Sequence, residues 1–117
     1  MPPPLHGKRI LVTQSDAFMG PVLCEVLAEQ GATVVASAAD LQVPDEAAQV
    51  VQAAGPIDVL VANAGVLGVI SPIGHVEAKT FEKVINVNVT GTWRLIRSVD
   101  PLLRLSDAGL AILLSSG

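Results

Sequence analysis

A chain of 117 residues, half of them hydrophobic and 15% charged, is long enough for one compact core and too apolar for a disordered tail. Seven Lys and Arg against eleven Asp and Glu give a net charge of -4 without any basic stripe, which excludes nucleic acid as the natural partner. A lone Cys24 forbids an internal disulfide, two histidines are too few for an ordinary zinc site, and no apolar stretch reaches the roughly 18 residues of a membrane helix or forms an export signal, so the expectations are no metal, no membrane and a cytoplasmic location.

Arg9-Ile10-Leu11-Val12-Thr13 is a β-branched run bounded by Gly7 and a polar turn, the pattern of a buried strand. Val22, Leu23, Val26 and Leu27 then recur at helical spacing behind Pro21, which suits a first turn, and Gly31 is placed to cap the helix. Cys24 lies on its apolar side and reads as core. Ala32 to Ala36 is a second strand, and Pro44 to Ala54 an alanine-rich helix with Asp45 and Glu46 at the favourable end of its dipole. Ile57 to Ala62 is a third strand, apolar on both faces as a parallel strand covered by helices must be. After a loop that leaves His75 solvated, one long helix is predicted from Glu77 to about Leu105, with Phe81, Val84, Ile85, Val89, Trp93, Ile96 and Val99 as its apolar stripe. Trp93 is expected in the core or at a subunit contact, and Pro101 is expected to kink or end the helix. Leu110 to Leu114 is the last strand. The alternation of strand and helix with short connections predicts one α/β domain over residues 1–117, an open parallel sheet in the order 2-1-3-4.

In such a sheet the ligand crevice lies beyond the carboxyl ends of the strands. Polar or glycine-rich residues stand at three of the four ends: Thr13 to Gly20, Asn63-Ala64-Gly65 and Ser115-Ser116-Gly117. Asn86-Val87-Asn88-Val89-Thr90-Gly91 adds asparagines inside the long helix, where Asn is unusual because it prefers caps and turns. Asn63 at a strand end also serves as an ordinary turn residue.

Residues 55–65 (GPIDVLVANAG), 84–93 (VINVNVTGTW) and 111–117 (AILLSSG), in that order and spacing, closely resemble the amino-terminal half of the short-chain dehydrogenase/reductase family. The resemblance implies a Rossmann-like fold, NAD or NADP as cofactor, and hydride transfer between nicotinamide and a carbonyl or alcohol carbon of a small-molecule substrate. It implies cofactor-binding roles for Thr13, Phe18, Gly20, Asn63, Ala64 and Gly65, with Asn63 steadying the central sheet and Ala64 and Gly65 lining the cofactor ribose. Asn88 and Ser116 match members of the catalytic tetrad, with Ser115 as runner-up for the serine.

The chain departs from the family pattern at four places. The phosphate loop T-G-x-x-x-G-x-G keeps Thr13 and Gly20 but has Gln14 and Phe18 for its first two glycines. Those positions call for positive φ and close backbone approach, so weak cofactor binding is expected. Ala38 stands where a ribose-binding Asp is usual, and only 19 residues separate Ser37 from Ile57, room for one helix where the family fits a further βα unit on the adenine side. Finally, the chain has no tyrosine and stops before the segment that carries the family's catalytic Tyr and Lys, so it is expected to be inactive alone. The Thr13, Phe18, Gly20 spacing resembles the halohydrin dehalogenase branch of the same superfamily, which makes a dehalogenase-like lyase, or a non-catalytic binding and association module, the alternative readings. The apolar edge strand at Leu110 to Leu114 predicts self-association.

Overall fold

β-branched and leucine-rich runs that alternate between two covered faces form strands, and four of them build the sheet. They are β1 (Arg9–Val12), β2 (Thr33–Ala36), β3 (Val59–Ala62) and β4 (Leu110–Leu113), all parallel, in the order β2-β1-β3-β4. The computed structural model of the chain describes residues 2–63, 65–66 and 68–114, so the roles expected of Ala64, Ser115 and Ser116 lie outside the described residues. Each strand is shorter than the run that encodes it, because Thr13, Ala32, Ile57 and Leu114 lie in the connections. The Rossmann-like parallel sheet with flanking helices is the predicted one.

The strand period of two decides which helix covers which face. Ile10, Val12 and Val61 point to one side, where Leu23, Cys24 and Leu27 of α1 (Gly20–Glu29) pack on them. Leu11, Leu60 and Ala62 point to the other, against Ala47 and Val51 of α2 (Glu46–Ala54) and against Leu95 and Val99. Full burial of a Leu or Val of this kind contributes roughly 1.5–3 kcal/mol, so the second face carries most of the core. A single helix, α2, joins β2 to β3, which leaves β2 at the sheet edge, as the short span between Ser37 and Ile57 implies. Among the described residues β4 pairs with β3 alone, and Leu110, Ile112 and Leu113 are exposed.

The long helix differs from its sequence pattern. It runs as α3 (Ala78–Ile85), a π-helical segment Asn86–Gly91 and α4 (Thr92–Leu105), and a short 3-10 turn at Ile73–His75 precedes it. The buried face is Val87, Gly91, Leu95 and Val99. Phe81, Ile85, Val89 and Trp93 form a second series stepping by four, half a turn away, and all are exposed. Trp93 is therefore not in the core: it is 55% exposed, with the Arg97 guanidinium 5.5 Å from its ring centroid. Pro101 lies inside α4 without ending it. Its missing N–H leaves only the carbonyl of exposed Arg97 without a helical donor, a site water can satisfy.

At the opposite end of the sheet from the strand carboxyl ends, Asp58 ties three segments together. Its Oδ2 accepts the Arg9 backbone N–H at 2.9 Å and its Oδ1 accepts the Ser106 hydroxyl at 2.6 Å, while the Arg9 guanidinium donates to the carbonyls of Pro56 and Ala54. The Arg9 N–H first, the Ser106 hydroxyl second, hold the Asp58 carboxyl below its ordinary 3.8. A carboxylate with a lowered folded pKa adds stability that is present above the unfolded value and is lost as pH falls through the folded one. Asp58→Ala is therefore expected to cost about 1.5–3 kcal/mol at pH 7, the range for hydrogen bonds to a charged group. Urea unfolding at pH 7 and at pH 2.5 or below checks the sign, since the gap between the two proteins must narrow in acid.

Candidate functional site

The order β2-β1-β3-β4 sends the chain outward in opposite directions from β1 and β3, so the topological switch point lies between their carboxyl ends. Three segments converge there: the loop from Thr13 to Gly20, the loop that begins at Asn63, and the π-helical segment.

Thr13 is buried at the end of β1, and its backbone N–H donates to the Val61 carbonyl at 3.2 Å, which fixes where the first loop departs. The loop then makes two successive tight turns, with Ala17 N–H donating to Gln14 O and Gly20 N–H to Ala17 O. These turns put Gln14 at φ 45° and Phe18 at φ 51°, the only described residues other than glycine in the left-handed region. Each placement costs a residue with a Cβ roughly 1–2 kcal/mol. The two residues sit where the sequence pattern calls for glycine, so the backbone keeps the path of a glycine loop although the side chains have changed. The Phe18 ring is 64% exposed and takes no part in the core.

Asn63 holds this strained backbone. It is 2% exposed, and the two hydrogens of its Nδ2 go to Gln14 O and Ala17 O, each at 2.9 Å, one for each turn. Its observed contacts thus run to the first loop, so it locks the loop onto the end of β3. Gly20 closes the arrangement from the helix side: a Cβ there would lie 2.5 Å from Ser15 O and 2.6 Å from Gln14 O. The glycine is needed for close approach.

The loop after β3 is pinned from both sides. Gln14 Oε1 accepts the Gly65 backbone N–H at 3.2 Å. Asn88 uses its whole carboxamide on the next residue, accepting the Val66 N–H at 2.8 Å and donating to the Val66 carbonyl at 3.0 Å. The π-helical turn is what presents Asn88, an exposed residue, to that loop, and such turns recur at functional sites. Gly91 lets the segment pack on the chain after β2, since a Cβ there would come within 3.1 Å of Leu41 O. Asp40 accepts from the Gln42 backbone N–H at 3.0 Å, which commits its carboxylate to a local turn.

Thr13, Phe18, Gly20, Asn63, Gly65 and Asn88 are thus brought to one end of the sheet. Two contributors were not expected from the sequence: the Gln14 side chain and the Val66 backbone. A polar side chain at a position whose backbone demands glycine was the available signal for the first; backbone groups give no signal for the second. Among the described residues no group of three His, Cys, Asp or Glu is placed to hold a metal ion, and no helix is long and apolar enough to cross a membrane.

Dinucleotide cofactors fit this site in part. The glycine-like path of residues 14–20 and its junction with α1 at Gly20 suit a bound phosphate. The Gln14 side chain, bridging the switch point, does not.

Comparison with known proteins agrees with the geometry. A family model described as short chain dehydrogenase matches residues 6–117. A short chain dehydrogenase from Salmonella enterica has the same fold over the whole of this chain and 61% of its own, with a TM-score of 0.90 and 28% identity. Another from Escherichia coli, complexed with NADPH, gives a TM-score of 0.88 at 26% identity over 96% of this chain and 60% of its own. An NAD-dependent oxidoreductase of Mycobacterium tuberculosis is 32% identical over 97% of this chain and 42% of its own length. Dehydrogenase/reductase SDR family member 4 of Mus musculus is 28% identical over an alignment of 141 positions, longer than this chain of 117, with 97% of the chain and 50% of the relative covered. The chain spans about half the length of these curated relatives. With its loop, its asparagines and its sheet order in place, the chain belongs to the short-chain dehydrogenase family.

Proposed function

We propose that this chain is the cofactor-side portion of an NAD(P)-dependent short-chain oxidoreductase, with weakened affinity for the dinucleotide. The observation that carries the reading is the left-handed backbone at Gln14 and Phe18, locked by Asn63 in the path that glycines take in a phosphate loop. In the whole protein the bound nicotinamide supplies or accepts the hydride, and the substrate is a carbonyl or alcohol. Thr13, Gly20 and Asn63 shape the loop, and Gly65 lies on the opposite wall. Asn88, which the resemblance makes a catalytic residue, works here as a positioning residue for the loop at Val66, because both ends of its carboxamide are committed there. Ser116 keeps the role of substrate hydrogen bonding that the resemblance gives it. These 117 residues include no tyrosine, so proton transfer by a tyrosine is not part of what they supply.

The Thr13, Phe18, Gly20 spacing favours the dehalogenase-like lyase as the second reading, while the Asn63-Ala64-Gly65 form of the next motif favours the dehydrogenase. Calorimetric titration with NADPH and NADH tests the proposal. The expected dissociation constants lie well above the low micromolar range, which corresponds to about -8 kcal/mol. The double variant Gln14→Gly, Phe18→Gly is expected to bind more tightly than the parent. Absence of saturable binding by the double variant overturns the reading.

A further inference from the structure

We infer that the Gln14 side chain is a latch across the cofactor crevice, a self-made ligand that a dinucleotide must displace; the inference rests on the cofactor reading above. Gln14 belongs to the loop after β1, and Gly65 to the loop after β3. Their hydrogen bond at 3.2 Å therefore spans the switch point itself, the place where the sheet topology puts the ligand. Two consecutive backbone N–H groups face inward on the β3 side. Asn88 Oδ1 takes the one on Val66 at 2.8 Å, and Gln14 Oε1 takes the one on Gly65. The Gln14 bond is the longer of the two, and so the one more easily exchanged for a hydroxyl or phosphate oxygen of a ligand.

The strained backbone makes the latch directional. With φ at 45° and its carbonyl fixed by Asn63 Nδ2, Gln14 cannot relax to an extended conformation without releasing the loop. Its Cβ is held in place, and the side chain has the reach to span the crevice. A glycine at this position would leave the Gly65 N–H open to the ligand. The latch thus satisfies a site donor in the free protein and lowers the population competent to bind, which raises the apparent dissociation constant by the same factor.

Gln14→Ala tests this, because alanine keeps the Cβ and the backbone strain and removes only the carboxamide. Gln14→Gly serves as the second variant and relieves the strain as well. Two measurements are made on the full chain: amide hydrogen exchange at Gly65, and calorimetric titration with NADPH. A net hydrogen bond of ordinary strength corresponds to about a three- to tenfold change. Gly65 exchange is expected to accelerate by that factor in both variants, with Val66 unchanged, and NADPH is expected to bind about three- to tenfold more tightly. Unchanged exchange at Gly65 overturns the latch and leaves the cofactor reading untouched. Faster exchange with NADPH affinity equal in parent and variants overturns the latch as a gate. Faster exchange with no binding by any of the three proteins overturns the cofactor reading, and the latch as its gate with it.

Discussion

Asn63→Ala is expected to lose about 2–4 kcal/mol of stability, because one substitution removes both hydrogen bonds that hold the turns of the first loop and leaves the Gln14 and Ala17 carbonyls without that donor. The loss exceeds that of two ordinary bonds for a structural reason. Gln14 and Phe18 stay in the left-handed region only while the surroundings over-determine it, and Asn63 is the side chain that does so. Asn63→Asp is expected to be at least as damaging at neutral pH. It keeps the shape but sets an acceptor-only carboxylate against two carbonyl oxygens. Part of the stability should return in acid, where the carboxyl is protonated and can donate once. Urea midpoints at two pH values measure both variants. An Asn63→Ala loss below about 0.5 kcal/mol, the range of a neutral surface change, would show that the loop holds itself.

The fold was legible because its signals are short-range and redundant. Ile10-Leu11-Val12 and Val59-Leu60-Val61 are apolar on both faces, each is followed by a helical period, and parallel pairing with crossovers is the arrangement that satisfies both. The exposed side of the long helix was not legible. Phe81, Ile85, Val89 and Trp93 step by four, as do Val87, Gly91, Leu95 and Val99, and periodicity cannot tell which series faces the sheet when one contains a glycine. Gly91 belongs to the buried series through its approach to Leu41, a contact between segments far apart in the chain.

The site was legible at its anchors and obscure between them. Thr13, Gly20, Asn63 and Asn88 could be placed because the resemblance aligns them with the family's motifs, and Asn88 also because an asparagine is unusual inside a helix. The loop's conformation was not legible: with Gln14 and Phe18 in place of glycine the sequence left open whether the backbone would keep the glycine path, and both residues hold positive φ. The sequence could not show that the intruding glutamine would bond to Gly65, since that depends on the distance between two loops about fifty positions apart. Asn88 illustrates the converse, because its type was conspicuous while its partner, the Val66 backbone, carries no side-chain signature.

Gly20→Ala is the other substitution with a large expected effect, about 2–3 kcal/mol, and its cause is steric. The added Cβ would meet the Ser15 and Gln14 carbonyl oxygens at 2.5 and 2.6 Å, both backbone atoms that cannot swing aside. Two other glycines separate the possible causes. At Gly55, with φ 70° and open space around a Cβ, Ala is expected to cost about 1–2 kcal/mol through strain alone. At Gly74, where no Cβ would touch anything and φ is not positive, it is expected to lie within about 0.5 kcal/mol of neutral. Gly20 and Asn63 act on one object, the position of the Gln14 carbonyl, which lies 2.6 Å from the imagined Cβ and 2.9 Å from Asn63 Nδ2. If the loop must move to admit the Cβ, the Asn63 bonds go with it. The double variant Gly20→Ala, Asn63→Ala should then lose less than the sum of its parts by about 1 kcal/mol or more. Additive losses in a double-mutant cycle would show that the Cβ is accommodated by moving α1 and that the loop stays where Asn63 holds it.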